Sequence, residues 1–459
     1  MNKKICILMP DGVGIRNYIY TGIFDRFNTE SILLHNFKSN SITDFGLQKS
    51  FNLKQLIRYK ESFKEKFYRE LIHLVRLKYN AELKSNPTIL SNYMPKKVSF
   101  KLKLFYAIIE FKSYFHKSQN RILALETKYE KVIRRSKVYQ YYYDNFKELQ
   151  PNVLFCTHQR AVIAAPIFAA AKDAGIKTVT AIYSWDNLPK ARLALRADEY
   201  LVWSPYMKAE FKSFYPEIKD HQIKILGTPQ FQFHYDSSYL WTKQQLANYY
   251  GLDLKKKWLC FSGDDKTTSP FDPEYLQDIA EEIKISGLAT EWQILLRPVP
   301  VEGFDKYQKV IDKFPEIIKK TGADWVLSSN WSDAYPKVTD LNILSSLCKH
   351  ANAVINVGST MALDFGMHHK PAIYLNYEVK PNLHWSVKRV YKFQHFRSMK
   401  ELKPVVWLNS KKDLPGILNN LDKHHGRTKE DMMKWCERII PDKLRITSSC
   451  LINQHLVNS

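Results

Sequence analysis

The chain has 459 residues, 45% of them hydrophobic, with 15 Gly and 20 Pro. That composition excludes a disordered or collagen-like polypeptide and provides for two domains, each with its own core. The formal net charge is +23, and it is uneven: Lys49 to Gln150 holds 23 Lys/Arg against 9 Asp/Glu. No zinc-finger, helix-turn-helix or RNP pattern accompanies it, which argues against nucleic acid as the partner. Aromatic residues interleave with the lysines, as in FKLKLFYAIIEFKSYFHK. Peripheral contact with an anionic membrane fits that mixture, and a merely solvated basic face is the competing reading. Cys6, Cys156, Cys260, Cys348, Cys436 and Cys450 contain no CxxC pair. They read as thiols of a reducing cytoplasm, neither a disulfide set nor a metal site. No stretch approaches the roughly 20 apolar residues needed to cross a bilayer, and the run Ile5 to Met9 is too short for a signal-peptide core.

In chain order, a strand is predicted at Lys4 to Met9, followed by the loop Pro10 to Gly14 and a helical pattern from Arg16. A second strand is expected at Ser31 to Phe37, then a basic helical insertion from about Leu53 to Leu149. Strands at Val153 to Cys156, Thr178 to Ile182, Glu199 to Trp203 and Gln222 to Leu226 alternate with helices. Gly227 to about Lys243 loses periodicity and reads as a crossing between domains. The second half repeats the scheme, with strands at Trp258 to Phe261, Gln293 to Leu296, Trp325 to Leu327, Ala353 to Val357, Ala372 to Leu375 and Val405 to Leu408. Such alternation predicts an α/β chain of two doubly wound, Rossmann-like domains facing across a cleft. The expected division is 1–235, with the insertion at about 50–150, then 236–425, and a helical tail 426–459 packing back on the first domain.

The stretch AVINVGSTMALDFG carries the clearest chemistry. A buried strand breaks into Gly358, Ser359 and Thr360 and feeds a short helix. Glycine admits close backbone approach, hydroxyls donate, and free N–H groups at a helix start favour an anion. Simple helix capping is the plain alternative for the two hydroxyls. Asp364, one turn on, is a candidate acceptor for ribose hydroxyls, or else an ordinary helix acid. Trp331 and Tyr335 are candidate stacking surfaces for a base.

Gly358-Ser359-Thr360 with Asp364 and Lys370-Pro371 resembles the nucleotide-binding element of GT-B glycosyltransferases. The cluster Ser184 to Leu188, with YLVWSPYMKAEF and LGTPQF, is similar to bacterial surface-polysaccharide transferases of that superfamily. The resemblance spans about Pro151 to Tyr377 plus the opening strand and loop, and leaves the helical insertion uncovered. It implies that the loop containing Gly263 approaches a diphosphate and that Arg297, ending the next strand, can pair with phosphate. Neighbouring Asp264 and Asp265 set negative charge against that role, and an inter-domain salt bridge is the alternative for Arg297. Transfer with inversion needs a general base, and a carboxylate or histidine at a strand's C-terminal end can serve. Asp11 leads on the family's habit of placing the base after the first strand; His158 and Asp186 stand at corresponding positions. Each could instead brace a loop.

Together these expectations describe a cytoplasmic enzyme of bacterial envelope polysaccharide biosynthesis, peripheral at the inner face of the membrane. It would move a sugar from a nucleotide-sugar donor to a saccharide or lipid-linked acceptor, without metal or cofactor. A CDP-polyol phosphotransferase of the teichoic-acid type is the nearest enzyme alternative, weakened by the lack of a histidine beside Arg297 in LLRPVP. A nucleotide-sugar epimerase of the same fold ranks below it, since the paired acidic residues of such a site are not evident. A noncatalytic basic membrane- or nucleic-acid-binding protein is the alternative of another class.

Overall fold

The computed structural model describes residues 3–24, 30–37, 51–193, 196–328 and 333–459. These form two compact units. One comprises Met1–Thr228, Phe393–His395 and Thr447–Ser459; the other comprises Pro229–Lys392 and Phe396–Ile446. The helix Leu421–Ile439 thus lies in the second unit, and only the final stretch of the chain joins the first. There His455 Nε2 pairs with Glu199 at 2.7 Å.

The first unit is built on seven strands: β1 Lys4–Met9, β2 Glu30–His35, β3 Asn52–Gln55, β4 Val153–Cys156, β5 Lys177–Ala181, β6 Glu199–Val202 and β7 Ile223–Ile225. Their order is β3-β2-β1-β4-β5-β6-β7, with every pairing parallel. Ile5 to Met9 and all of β4 are buried, which explains why they read as unbroken apolar runs: both faces of a parallel sheet are covered.

The insertion expected to be wholly helical instead begins with β3, which pairs in parallel with β2 at the sheet edge. Edge position lets so short and half-exposed a segment act as a strand without an apolar run. Four helices follow: α1 Phe63–Leu83, α2 Phe100–Ser113, α3 Gln119–Ile133 and α4 Lys137–Leu149. Ser62 and Glu65 form a reciprocal cap at the start of α1. Leu71, Leu74 and Val75 of α1 pack on Phe105, Tyr106 and Ile109 of α2 and on Ile122 and Leu125 of α3. Buried Arg76 bonds Glu126 of α3 and Glu217 beyond β6, each at 2.7 Å, and Arg196 bonds both glutamates as well.

The second unit carries β8 Lys257–Ser262, β9 Trp292–Arg297, β10 Ile318–Lys320, β11 Trp325–Val326, β12 Tyr335–Pro336, β13 Ala353–Asn356, β14 Ala372–Leu375 and β15 Val406–Leu408. Its main sheet has the order β10-β9-β8-β13-β14-β15, again parallel throughout. The strand expected at Trp325 to Leu327 lies outside that sheet, forming a small antiparallel pair with Tyr335–Pro336. The edge position beside β9 belongs to Ile318–Lys320, whose single buried isoleucine left too short a pattern to read.

Candidate active site

Strands of the first unit are laid down outward from β1 and β4, so the winding reverses between these neighbours. Ligands of doubly wound sheets bind beyond the strand ends at such a point. Asp11 and His158 each sit two residues past one of those strands, β1 ending at Met9 and β4 at Cys156. His158 Nδ1 is hydrogen-bonded to Asp11 Oδ2. Asp11 Oδ1 accepts the Val13 N–H at 3.2 Å. A carboxylate oxygen accepts here, so Nδ1 carries a proton, and in the neutral ring Nε2 is then the acceptor. Nε2 is buried and has no hydrogen-bond partner. The imidazole stacks on Tyr183 at 4.2 Å and 22°, and burial raises that phenol well above its usual range. Gly14 is needed for closeness: a Cβ there would lie 2.6 Å from Met9 Cγ and 3.0 Å from Thr157 Oγ1. Burial pushes the Cys156 thiol up to about 12, which leaves it protonated and inert as a nucleophile.

Asp186 does not join this pair. Its carboxylate is ion-paired with Lys190 and accepts from Asn187 Nδ2 at 2.9 Å. Burial opposes its charge, but Lys190 and His395 outweigh that and hold the carboxyl well below the ordinary range. Asn187 in turn accepts from Gln159 Nε2 at 3.1 Å. The geometry is that of a loop brace, so the candidacy of Asp186 as a base is set aside.

In the second unit the reversal falls between β8 and β13, and the two glycine turns predicted for phosphate follow those strands. Gly358 has φ +69°, the left-handed conformation that favours glycine. Behind it the space is filled, since a Cβ would lie 2.7 Å from Phe396 Cζ. Ser359 N–H is taken by Asn356 Oδ1 at 2.8 Å, and the Ser359 hydroxyl accepts from Met361 N–H at 3.4 Å. Ser359 is therefore partly spent within the turn. Thr360 is exposed and its hydroxyl makes no cap. Asn356, which the sequence reading missed, is fully buried, and its Nδ2 donor lacks a partner at the strand end. A polar residue closing an otherwise apolar strand was the signal available for it.

Three other expectations are corrected. Asp364 is buried and accepts from His234 Nε2 at 3.0 Å, while His234 Nδ1 lies 3.1 Å from His368 Nε2. Burial and then His234 lower His368 to about 3, so that ring is neutral. This carboxylate is enclosed and not presented to a ribose. Arg297 is buried against Asp340 at 2.9 Å and reaches the Gly322 carbonyl at 3.4 Å. Burial works against its charge and Asp340 more than offsets that, raising it; the guanidinium is committed to an internal ion pair. Gly263 makes room for Tyr307, whose hydroxyl lies 2.0 Å from where a Cβ would be. The loop it opens is acidic. Burial, then Asp272 and Asp265, raise Asp264 to about 7, and burial raises Asp272 to about 6. At Asp265 burial opposes the charge, but hydrogen bonds from Thr267 and Thr268 outweigh it and lower that carboxyl, so its charge works against a diphosphate. Tyr335 is buried, and Trp331 lies outside the described residues. Among the described residues no group of three or more His, Cys, Asp or Glu could hold a metal ion.

No family model matches the chain and no characterised protein matches it in sequence. Solved structures do match in shape. The wall teichoic acid polymerase TagF soaked with CDPG is 12% identical at a TM-score of 0.50, over 99% of this chain and 88% of that one. The S. aureus MnaA–UDP structure is 11% identical at 0.51, over 99% and 96%. The UDP-GlcNAc 2-epimerase of Neisseria meningitidis bound to UDP-GlcNAc is 9% identical at 0.54, over 100% of both chains. At such identities the likeness is one of fold, and the fold of this chain is the GT-B fold.

Proposed function

We propose that the chain is a glycosyltransferase that moves a sugar from a nucleotide-sugar donor to a hydroxyl of a saccharide or lipid-linked acceptor. The observation that carries this reading is the Asp11–His158 pair at the reversal of the first sheet, with His158 Nε2 unpartnered. His158 acts as the general base: Nε2 takes the acceptor hydroxyl proton while the oxygen attacks the anomeric carbon. The bond from that carbon to the diphosphate breaks, and its electron pair leaves with the diphosphate. Asp11 fixes the ring and its tautomer and stabilises the imidazolium, a positioning role. Thr360, with the Gly358 turn, supplies neutral donors for the diphosphate. UDP and UDP-GlcNAc in the fold neighbours support a pyrophosphate-bearing donor.

The same base could deliver a hydroxyl to phosphorus, and the likeness to a polymerase soaked with CDPG keeps CDP-polyol phosphotransfer as the second reading. A panel of UDP-, GDP- and CDP-sugars together with CDP-glycerol, scored by thermal shift and then by product mass, separates the two. A sugar-bearing product supports glycosyl transfer; a phosphopolyol product replaces it. Salt-dependent nucleic-acid binding with no response to any nucleotide would favour the noncatalytic reading.

Peripheral attachment to an anionic membrane belongs to the same proposal. No described helix is long and apolar enough to cross a membrane. Helix α2, however, is apolar on two sides. Phe105, Tyr106 and Ile109 face the insertion core, while Phe100, Leu104, Ile108, Phe111 and Phe115 at and beyond its end are exposed. At about 100° per residue the exposed five fall within an arc of about 80°. Lys101, Lys103, Lys112 and Lys117 are exposed beside them. Apolar insertion flanked by lysines suits an anionic bilayer on the side where the donor is made.

A further inference from the structure

A second polar site lies within the first unit, where α1 and α3 of the insertion meet the loops after β4 and β5. It is a cavity of about 70 Å³ whose lining includes four arginines against two glutamates, room for several water molecules. Arg69 and Arg196 are neutralised by glutamates. Arg160 and Arg192 are not: neither makes an ion pair with a carboxylate among the described residues. Arg160 reaches only Asn187 Oδ1 at 3.5 Å, and Arg192 lies 3.3 Å from His73 Nε2. Burial and the nearby Arg160 lower the Arg192 pKa, a sign of positive charge left uncompensated.

Three residues lining the cavity also hold buried polar atoms with no partner: His73 Nδ1, Tyr129 Oη and Arg196 Nη1. Burial, then Arg192, lower His73 to about 3, so the ring is neutral. Its Nε2 lies 3.0 Å from the Lys190 carbonyl, which only accepts, and 3.3 Å from Arg192 Nε, which only donates. The shorter contact places the ring proton on Nε2 and leaves Nδ1 as an acceptor. An acceptor of that kind rejects a bare anion and welcomes a hydroxyl. Burial keeps the Tyr129 phenol protonated, a ready donor. Orphaned buried groups of complementary kinds around one charged cavity point to a ligand that satisfies them all.

We propose that this cavity binds a hydroxylated organic anion, a phosphate- or carboxylate-bearing sugar or polyol, with Arg160 and Arg192 on the anionic group and His73 and Tyr129 on hydroxyls. Arg160 stands two residues after His158 on the loop following β4, so the site is assigned to the acceptor. That assignment rests on the proposed transfer reaction; the binding itself does not.

Calorimetry on the full chain tests it with glycerol 3-phosphate, glucose 6-phosphate, glucuronate, inorganic phosphate and glycerol as probes. Binding of at least one of the first three is expected, tenfold or more tighter than inorganic phosphate, with none for glycerol. Preference for phosphorylated probes or for glucuronate identifies the anion. Arg160→Gln with Arg192→Gln should weaken it at least tenfold. Tyr129→Phe should narrow the margin over inorganic phosphate, and Lys208→Gln, paired with Asp220 away from the cavity lining, should change nothing. Circular dichroism and thermal unfolding verify that each variant is folded. Failure of every probe to bind, or binding indifferent to both arginines, leaves the cavity to water and overturns the proposal. Binding that survives in a His158→Asn protein devoid of transfer upholds the site. A site that binds while no donor is ever turned over removes only the transfer reading.

Discussion

His158 donates its Nδ1 proton to Asp11 across two adjacent strands, β1 and β4, whose registration is fixed by the pairing of Leu8 with Cys156. Removing the ring should remove the base while leaving the nucleotide site alone. His158→Asn is expected to lower turnover by roughly 10² to 10⁴ with donor-induced thermal stabilisation unchanged. Asp11→Asn should lower it less. A larger loss for Asp11→Asn than for His158→Asn would make the carboxylate the base and the imidazole its prop.

Thr360→Val tests the anion seat with little risk to folding, because the residue is exposed and caps nothing. Loss of one hydrogen bond to a charged group, about 1.5 kcal/mol or more, should weaken nucleoside diphosphate binding roughly tenfold. Titration calorimetry with UDP, GDP and CDP gives the answer, and unaltered affinity for all three would move the seat elsewhere.

Arg297→Gln should cost stability and spare specificity. It leaves the buried Asp340 charge without a cation, held only by the Trp325 indole N–H at 2.8 Å and the Asp324 N–H at 3.0 Å. Breaking a buried pair this way costs about 3–5 kcal/mol. Denaturant unfolding should reveal it, and the double variant Arg297→Met, Asp340→Leu should recover part of the loss.

The acidic loop after β8 predicts a pH dependence of definite sign. Asp264 and Asp272 are raised to about 7 and about 6 in the folded chain, against about 3.9 when unfolded. Between those values the folded state holds more protons, so stability falls as pH rises from about 4 to 7. Asp264→Asn keeps an oxygen for the Asp265 N–H and removes the charge. It should raise Tm at pH 8 by a few degrees and have little effect at pH 4.5. Equal shifts at both pH values would contradict the assignment.

Phe100→Ser with Phe111→Ser should abolish flotation with vesicles of one part anionic to three parts zwitterionic lipid. Wild type should float at low salt and less so at 0.5 M. Flotation unaffected by the pair of substitutions would return the insertion to the solvated reading.

Strands were legible wherever burial on both faces wrote a continuous apolar run, as at β1, β4 and β14. Asp11 and His158 stand out as candidates because each follows such a run directly. Neither residue announces the other, for 147 positions separate them. The same distance effect hid the fates of Asp364 and Arg297: their partners His234 and Asp340 stand 130 and 43 residues away. Gly263 misled for a related reason. A glycine after a strand marks a close approach, and only the fold shows that Tyr307, not a ligand, does the approaching. β3 and β10 were hidden because edge strands need little apolar pattern.

Arg76, Arg196, Glu126 and Glu217 form a closed ring of two positive and two negative charges, with α1 and α3 contributing one of each sign. Truncation of the insertion would therefore not yield a smaller working domain. It would leave Arg196 and Glu217 in a half-dismantled quartet, and would strip the wall from the arginine-lined cavity. Miniaturised versions would have to rebuild that interface in greasy side chains before trimming the helices.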